Sequence, residues 1–285
     1  MIDKSEFLAD IRQTLAKIDP DVLAYNTDDF RMVQSLFEYV EFIAVMRRYR
    51  NTLLALYLAR GLHDGSYRKS KVIRDGVPRR MPYLVHPLKV CRLLINIWTP
   101  LSKEQTDILL AAALCHDMLE DLDFPLGGRE LSELYGLDPR VCETVKKVTK
   151  RKDFTREEEL AHFHIIESDP LALLIKLSDR GNNVEDLYNM SHAKVQEYVG
   201  ETRDLILPMC AFARRHYPEL VPAVEILQEK ITTLTIAAEA LSNRYDSREQ
   251  ELRHRLDVLR EENARLRAEW QVLKDYDAAQ PLIGG

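Results

Sequence analysis

Glycine is scarce in this 285-residue sequence, which has ten, and alternation of β-branched residues is rare. Apolar residues recur instead at helical spacing, which favours an all-α protein over one built on a sheet. The four cysteines form no CxxC pair and stand among apolar residues. We therefore expect reduced, buried thiols rather than disulfides or a zinc cluster. No stretch approaches the roughly 18 uninterrupted apolar residues of a membrane span.

Basic residues do not outnumber acidic ones, and the formal net charge is −6. The sequence therefore offers no general electrostatic attraction to nucleic acid or to an anionic membrane. The N-terminal segment MIDKSEFLADIRQ is charged and amphipathic and lacks the apolar run of a signal peptide, so we expect a cytoplasmic location.

The helical pattern divides the chain into four predicted parts. They are an N-terminal helical extension (1–45), an all-α domain (46–220), a long C-terminal helix (221–276) and a disordered tail (277–285). A polar stretch over 63–82 interrupts the helical pattern and is interpreted as a loop. The periodicity also predicts a nearly unbroken helix over 29–62 and another over 103–120.

The long C-terminal helix has the heptad pattern of a coiled coil, after an insertion of four residues that follows Tyr245. Seven residues occupy the a and d positions: Leu252, Leu256, Leu259, Asn263, Leu266, Trp270 and Leu273. Two of the three predicted interhelical charge pairs, including Glu262 with Arg267, suit a parallel dimer. We expect a homodimer through this helix; the alternative is a helix that packs back on its own domain.

Four ionisable residues interrupt the apolar stretch LCHDMLEDL (114–122): His116, Asp117, Glu120 and Asp121. On a continuous helix, His116 and Glu120 share one face, and Asp117 and Asp121 share the adjoining face. Imidazole and carboxylate groups are good ligands for a divalent metal, and their burial without a partner costs several kcal/mol. Taken alone, such a stretch is more often a helix end whose charges face solvent.

Two further stretches strengthen the metal interpretation. PYLVHPLKV places His86 at the start of an apolar helix, and LLIKLSDRGNNVEDL places Asp179 after an apolar run. With His116 and Asp117 they form a mixed nitrogen and oxygen ligand set that suits a hydrolytic metal centre. Lys176 interrupts the same run, as does Arg180, and such residues either pair with buried carboxylates or contact a substrate.

The H…HD…D signature of the HD phosphohydrolase superfamily is matched, in chain order, by His86, His116 with Asp117, and Asp179. The stretches GLHDGSYRKS, PYLVHPLKVCRLL, LAAALCHDMLEDLDF, ELYGLDPRVCETVKKVTK and ALLIKLSDRGNNVEDL further resemble the hydrolase domain of RelA/SpoT-type alarmone enzymes, over about residues 50–215. Nothing in the sequence resembles the synthetase domain of the long members. The resemblance implies an all-α HD-domain bundle that hydrolyses the 3′-pyrophosphate of guanosine tetra- or pentaphosphate to GDP or GTP and pyrophosphate.

The resemblance also implies a role for each matching position. Four residues match the metal ligands, for manganese in most members and zinc or iron in some: His86, His116, Asp117 and Asp179. Two match the pair that positions or deprotonates the attacking water: Glu120 and Asp121. Three match residues that contact the nucleotide substrate: Arg68, Lys69 and Asn183.

The sequence departs from the family pattern in two places. After Arg68 and Lys69 the predicted loop is lengthened by VIRDGVPRR, whose arginines either reach the substrate or stay in solvent. The usual HNMRT reads NNVED, with Glu185 in place of an arginine, and a carboxylate near a tetraphosphate would repel it. Two alternatives therefore stay open. One is a hydrolase of an adenosine alarmone or of the NADPH 2′-phosphate, which can act as an antitoxin; the other is a coiled-coil protein that senses a nucleotide.

Overall fold

The computed structural model describes residues 4–25, 31–74, 77–121, 129–150 and 153–279, except for the side chains of 69–79, 121–130, 269 and 272–279. The described part confirms the predicted all-α class. Its α-helices, in chain order, are α1 (Lys4–Leu15), α2 (Pro20–Leu23), α3 (Arg31–Arg47), α4 (Arg50–Leu62), α5 (Val85–Asn96), α6 (Lys103–Cys115), α7 (Met118–Asp121), α8 (Arg129–Glu133), α9 (Pro139–Val148), α10 (Arg156–Glu167), α11 (Pro170–Asn183), α12 (His192–Glu201), α13 (Leu207–His216) and α14 (Val221–Ala279). Two 3₁₀ segments, Val184–Asn189 and Pro218–Leu220, and a π-helical turn, Thr202–Ile206, connect some of them.

The chain forms two compact units, residues 1–238 and 239–285. The first contains the packed helices described below, and the second consists of the later part of α14 and the residues after it. The four-part division expected from the sequence stays a prediction. Helix α14 continues to Ala279, into the predicted tail, and residues 280–285 lie outside the described part.

Helix α6 lies at the centre of the first unit, in contact with α4, α5, α9 and α11. Every residue from Asp107 to Cys115 is buried, and three successive alanines, Ala111 to Ala113, let neighbouring helices approach closely. A helix that is apolar all round is buried all round. The residues that follow its C-terminal end, His116 and Asp117, are therefore held inside the protein.

The helix predicted over 103–120 is broken. The prediction that its polar residues share two adjoining faces of one continuous helix is therefore wrong. Helix α6 ends at Cys115 and the short α7 begins at Met118. The His116 ring contacts the Ala113 carbonyl through Nδ1 at 2.7 Å, and the backbone N–H of Glu120 donates to the Asp117 carbonyl at 3.1 Å. This turn brings the side chains of two consecutive residues to the same cleft.

The helix predicted over 29–62 is also broken, at Arg48, where the backbone turns to a φ of 55°. Helix α4 begins after this break without a cap from its own N-cap residue, Tyr49. Asp107 of α6 replaces that cap, because its carboxylate accepts hydrogen bonds from the backbone N–H groups of Asn51 (3.0 Å) and Thr52 (2.8 Å). The side chains of both residues donate to the same carboxylate.

The loop predicted over 63–82 is wrong for most of its length, because strands β1 (Tyr67–Arg74) and β2 (Val77–Pro82) form an antiparallel hairpin. Pairing runs from Tyr67 with Pro82 to Arg74 with Val77. In the sequence, Asp-Gly separates the strands, and this dipeptide is a strong hairpin signal. The side chains of the inserted VIRDGVPR lie outside the described part; Arg80, the last residue of the insertion, is exposed.

The four cysteines are buried and free, as predicted. Among the helices of the described residues, none combines the length and the apolar character needed to cross a membrane.

Candidate metal centre

Four predicted ligands meet at one point between three structural elements. His86 comes from α5, Asp179 from α11, and His116 and Asp117 from the turn after α6. His86 Nε2 lies 3.2 Å from His116 Nε2, 3.2 Å from Asp179 Oδ1 and 3.3 Å from Asp117 Oδ2. His116 Nε2 lies 3.2 Å from Asp117 Oδ2 and 3.8 Å from Asp179 Oδ1. The ligand atoms of His86, His116 and Asp179 all lie within 4.8 Å of one another.

The outer nitrogen of each imidazole ring is bound to an oxygen. His86 Nδ1 lies 2.6 Å from Asn182 Oδ1, and His116 Nδ1 lies 2.7 Å from the Ala113 carbonyl. Carbonyl oxygens only accept hydrogen bonds, so each Nδ1 carries a hydrogen and each Nε2 faces the centre.

Two imidazole nitrogens and two carboxylates facing each other need positive charge between them, either protons or a metal cation. Ligands about 2.1 Å from an ion and at right angles to each other lie about 3 Å apart. His86 Nε2 lies 3.2 to 3.3 Å from His116 Nε2, Asp117 Oδ2 and Asp179 Oδ1, which is close to that value. The residues therefore fit a divalent cation.

The pKa values of the cluster describe how protons hold it together without a cation. Burial alone would lower the pKa of His86, but hydrogen bonds to Asp117 and Asp179 outweigh burial and raise it to about 9. Burial also lowers the pKa of His116, but the charge of Asp117 and a hydrogen bond to Asp179 outweigh burial and raise it. Burial raises the pKa of each carboxyl group, but His116 beside Asp117 and Lys176 beside Asp179 outweigh it and lower both values. A bound metal would displace these protons.

Three further side chains orient the two carboxylates. The Tyr83 hydroxyl donates to Asp117 Oδ2 at 2.6 Å, Lys176 Nζ donates to Asp179 Oδ2 at 3.3 Å, and Asn183 Nδ2 donates to Asp179 Oδ1 at 2.6 Å. Sequence reasoning missed Tyr83, although it stands in the quoted PYLVHP stretch. Tyr83 lies two residues before the start of α5, the helix that carries His86.

The cluster lies in a cleft of about 710 Å³. Seven of the nine predicted site residues line this cleft: Arg68, His86, His116, Asp117, Glu120, Asp179 and Asn183. The side chains of the other two, Lys69 and Asp121, lie outside the described part. The structure thus brings together every predicted site residue whose side chain it describes.

Arg68 is held at the cleft wall by polar partners. Its Nη2 donates to Asn183 Oδ1 at 3.0 Å and lies 3.6 Å from Asp186 Oδ2, and its Nη1 lies 3.5 Å from Asn182 Oδ1. Its side chain is only 13% exposed. The guanidinium group is therefore fixed at the start of β1, beside the ligand cluster.

The other basic residues of the cleft are paired with acidic neighbours. Arg180 donates to Glu201 and stacks over the Tyr198 ring, 4.6 Å from its centroid. Lys150, which sequence reasoning missed, donates to Glu159 at 2.5 Å. Of the two roles left open for Arg180, the structure shows pairing with a carboxylate.

Glu185 is not among the residues that line this cleft. The carboxylate contacts Lys89 and Lys230 instead, beside a second cavity of about 610 Å³. The neighbouring Asp186 is the carboxylate that approaches the cleft, where it contacts Arg68.

Comparison with curated proteins finds relatives among enzymes of guanosine nucleotides. The chain is 35% identical over 143 residues to the human "guanosine-3′,5′-bis(diphosphate) 3′-pyrophosphohydrolase MESH1", covering 47% of this chain and 75% of that protein. It is 33% identical over 133 residues to the Aquifex aeolicus "guanosine-3′,5′-bis(diphosphate) 3′-pyrophosphohydrolase", and 31% identical over 159 residues to the Myxococcus xanthus "GTP pyrophosphokinase". These matches cover 45% and 52% of this chain.

The chain spans only 18% of the length of each of these two bacterial proteins. No protein-family model matches the sequence. The human relative is matched over three quarters of its length. This chain belongs to the family of RelA/SpoT-type guanosine-3′,5′-bis(diphosphate) 3′-pyrophosphohydrolases.

Proposed function

We propose that this protein is a metal-dependent hydrolase that removes the 3′-pyrophosphate of guanosine tetra- and pentaphosphate, giving GDP or GTP and pyrophosphate. One observation carries the proposal: two imidazoles and two carboxylates converge in a cleft whose wall also holds Arg68. The names of the relatives support the same reaction and the same class of substrate.

His86, His116, Asp117 and Asp179 would hold the cation. A mixed set of imidazole and carboxylate ligands suits manganese, which we expect, and also zinc or iron. When bound, a divalent cation supplies Lewis acidity toward phosphoryl oxygens and toward water.

The other residues of the cleft bind the nucleotide and accept a proton. Arg68 offers a guanidinium group to a phosphate, and its bonds to Asn183 and Asp186 hold it in one orientation before substrate arrives. Lys69 is proposed to share this role. Glu120 lines the cleft one turn beyond Asp117 and, with Asp121, is proposed to position the attacking water and take its proton.

A panel of nucleotides tests the reaction and the substrate together. The manganese-loaded protein is incubated separately with guanosine tetraphosphate, its adenosine counterpart and NADPH, and the products are separated by ion-exchange chromatography. We expect GDP and pyrophosphate from the guanosine compound at the highest kcat/KM. Preference for the adenosine compound or for NADPH would replace the substrate and keep the enzyme class. Absence of product from every nucleotide would refute the hydrolase.

Glu120→Gln tests the proton acceptor, because the amide keeps the shape of the carboxylate and cannot take a proton. We expect kcat to fall roughly 10²- to 10⁴-fold while the dissociation constant for Mn²⁺ stays unchanged. Glu133→Gln, on the nearby short helix α8, is the matched control and should keep wild-type kcat. Unchanged kcat in Glu120→Gln would remove Glu120 from the reaction.

We also propose that the C-terminal helix joins two copies of the chain. Its apolar d positions are exposed, with Leu252 at 50%, Leu259 at 60% and Leu266 at 52%. Asn263 at an a position favours one register, and Glu262 would face Arg267 of a second copy. Such a parallel pair would cover all three leucines.

Sedimentation equilibrium of the full chain tests this pairing, with Leu259→Glu as the variant and Val258→Glu as the control on another face. We expect a dimer for the wild type and the control and a monomer for Leu259→Glu. A monomeric wild type would refute the pairing.

If dimerisation is lost and hydrolysis is kept, the helix is not needed for catalysis. A chain that binds the nucleotide without hydrolysing it would favour the sensing alternative.

A further inference from the structure

Glu185 is the centre of a cluster of donors on the far side of the metal ligands. Its Oε2 accepts from Lys89 Nζ at 3.0 Å and from Asn182 Nδ2 at 3.1 Å, and its Oε1 accepts from Lys230 Nζ at 2.5 Å. Burial raises the pKa of this carboxyl group, but the hydrogen bonds and charges of Lys230 and Lys89 outweigh burial and lower it. The group is therefore an anion that only accepts hydrogen bonds.

Asn182 connects this anion to a predicted metal ligand. Its side chain is buried, and its Nδ2 group donates to Glu185 while its Oδ1 lies 2.6 Å from His86 Nδ1 and 3.5 Å from Arg68 Nη1. An amide offers two donor hydrogens at one end and only an acceptor at the other. Because Glu185 can only accept, the amide turns its NH₂ end toward Glu185 and its oxygen toward His86.

The orientation of the amide decides which nitrogen of His86 is available. With the oxygen of Asn182 at Nδ1, this nitrogen must carry a hydrogen, which leaves Nε2 free to bind a cation. A reversed amide would present NH₂ to Nδ1, and the hydrogen of a neutral ring would move to Nε2, which could then not act as a ligand.

His116 needs no such arrangement, since its Nδ1 lies against the Ala113 backbone carbonyl, which cannot reverse. We propose that Glu185 and Asn182 are positioning residues, which act through hydrogen-bond polarity to keep His86 in the tautomer that binds the metal. This inference rests on the proposed metal site.

The family pattern gives this proposal a further reason in the sequence. Asn182 stands where the family's HNMRT motif has histidine, and Glu185 stands where it has arginine. Both members of the contact therefore differ from the usual pattern together. An arginine at 185 would face the NH₂ end of Asn182 with another donor and would face Lys89 and Lys230 with like charge. Glu185 satisfies all three donors at once.

A purely structural role for Glu185 gives a different expectation. Its ion pairs join the 3₁₀ segment Val184–Asn189 to Lys89 of α5 and Lys230 of α14, and this contact by itself stabilises the fold. In that case Glu185→Leu and Lys230→Met should lower the melting temperature alike, and neither should change metal binding.

The dissociation constant for Mn²⁺, measured by chelator competition on the full chain, separates the two roles. We expect Glu185→Leu to weaken Mn²⁺ binding about tenfold, at the lower end of the effect of losing an outer partner of a ligand, because Arg68 still favours the correct amide orientation. Lys230→Met, which keeps the Glu185–Asn182 contact, should bind Mn²⁺ within about twofold of the wild type. Equal affinity of Glu185→Leu and wild type would overturn the proposal.

The exchanged pair Asn182→Asp/Glu185→Gln covers the case in which Glu185→Leu does not fold. In this pair the new amide donates to the new carboxylate, which in turn still accepts from His86 Nδ1. We expect it to bind Mn²⁺ more tightly than Asn182→Ala/Glu185→Gln, which lacks an acceptor for His86. Equal affinities would overturn the proposal.

Nitrogen-15 spectra of the Zn²⁺-loaded protein should place the hydrogen of His86 on Nδ1, and a hydrogen on Nε2 would contradict the proposal. A wild-type chain that binds no divalent metal would refute the metal site itself, an outcome distinct from all of these.

Discussion

The pKa of His86 predicts how the stability of the metal-free protein depends on pH. In the folded protein this pKa is about 9, against an ordinary value of 6.5. The protonated ring is therefore favoured by folding, and its contribution is complete below pH 6.5 and is lost as the pH rises through 9. The rise of this pKa from 6.5 to about 9 corresponds to roughly 3 kcal/mol of unfolding free energy.

Urea unfolding in the presence of a chelator, at intervals from pH 6.5 to 9.5, measures this loss. His86→Gln is the reference, because it removes this imidazole, keeps His116 in both proteins, and leaves Asp117 and Asp179 ionised over the whole interval. We expect the wild type to lose about 3 kcal/mol more than the variant between these limits. Parallel profiles for the two proteins would refute the placement of His86 between the two carboxylates.

Three further substitutions test separate parts of the account. Asp107→Ala removes the carboxylate that caps α4 and should lower the unfolding free energy by about 3–5 kcal/mol in urea, whereas the exposed Asp257→Ala should lower it by less than about 0.5 kcal/mol. Tyr83→Phe removes one hydrogen bond to Asp117 and should reduce kcat/KM roughly three- to tenfold and lower the unfolding free energy in urea by about 1–2 kcal/mol; a larger loss of kcat/KM would give Tyr83 a direct part in the chemistry. Arg68→Met should raise KM about 10- to 100-fold and leave kcat within about threefold, and the reverse pattern would mean that Arg68 acts only in the transition state.

The residues of the candidate metal centre could be picked out from the sequence because each stands at the edge of an apolar run. His86 lies in the first turn of α5, His116 and Asp117 follow the buried α6, and Asp179 lies in the buried α11. Burial without partners is costly, so polar residues in these places indicate a shared site. The motif order then supplied the family, which the human relative confirms.

The break after α6 could not be predicted from apolar spacing. Periodicity continues through LCHDMLEDL, and the contact between His116 and the Ala113 carbonyl at the turn leaves no trace in the pattern. The break at Arg48 has a similar origin, because α4 obtains its cap from Asp107, more than fifty residues away. The hairpin has a local signal in the sequence, the Asp-Gly dipeptide between its strands.

The position of Glu185 required tertiary information. The sequence has Glu185 where the family motif HNMRT has an arginine, and this predicts a carboxylate beside the substrate. The structure places it against Lys89 and Lys230 instead, and Lys230 lies on a helix outside the motif-bearing stretch. A partner forty-five residues away in the sequence cannot be identified from one chain.

The most direct test of the central claim joins the reaction to the ligand cluster. Phosphorus NMR follows guanosine tetraphosphate incubated with manganese-loaded wild type, with chelated wild type and with Asp179→Asn, which keeps the shape of the side chain and loses its charge. We expect one pyrophosphate and one GDP for each substrate consumed by the loaded wild type, and a rate at least about a thousandfold lower for the other two. Undiminished turnover by Asp179→Asn, or release of orthophosphate in place of pyrophosphate, would contradict the account.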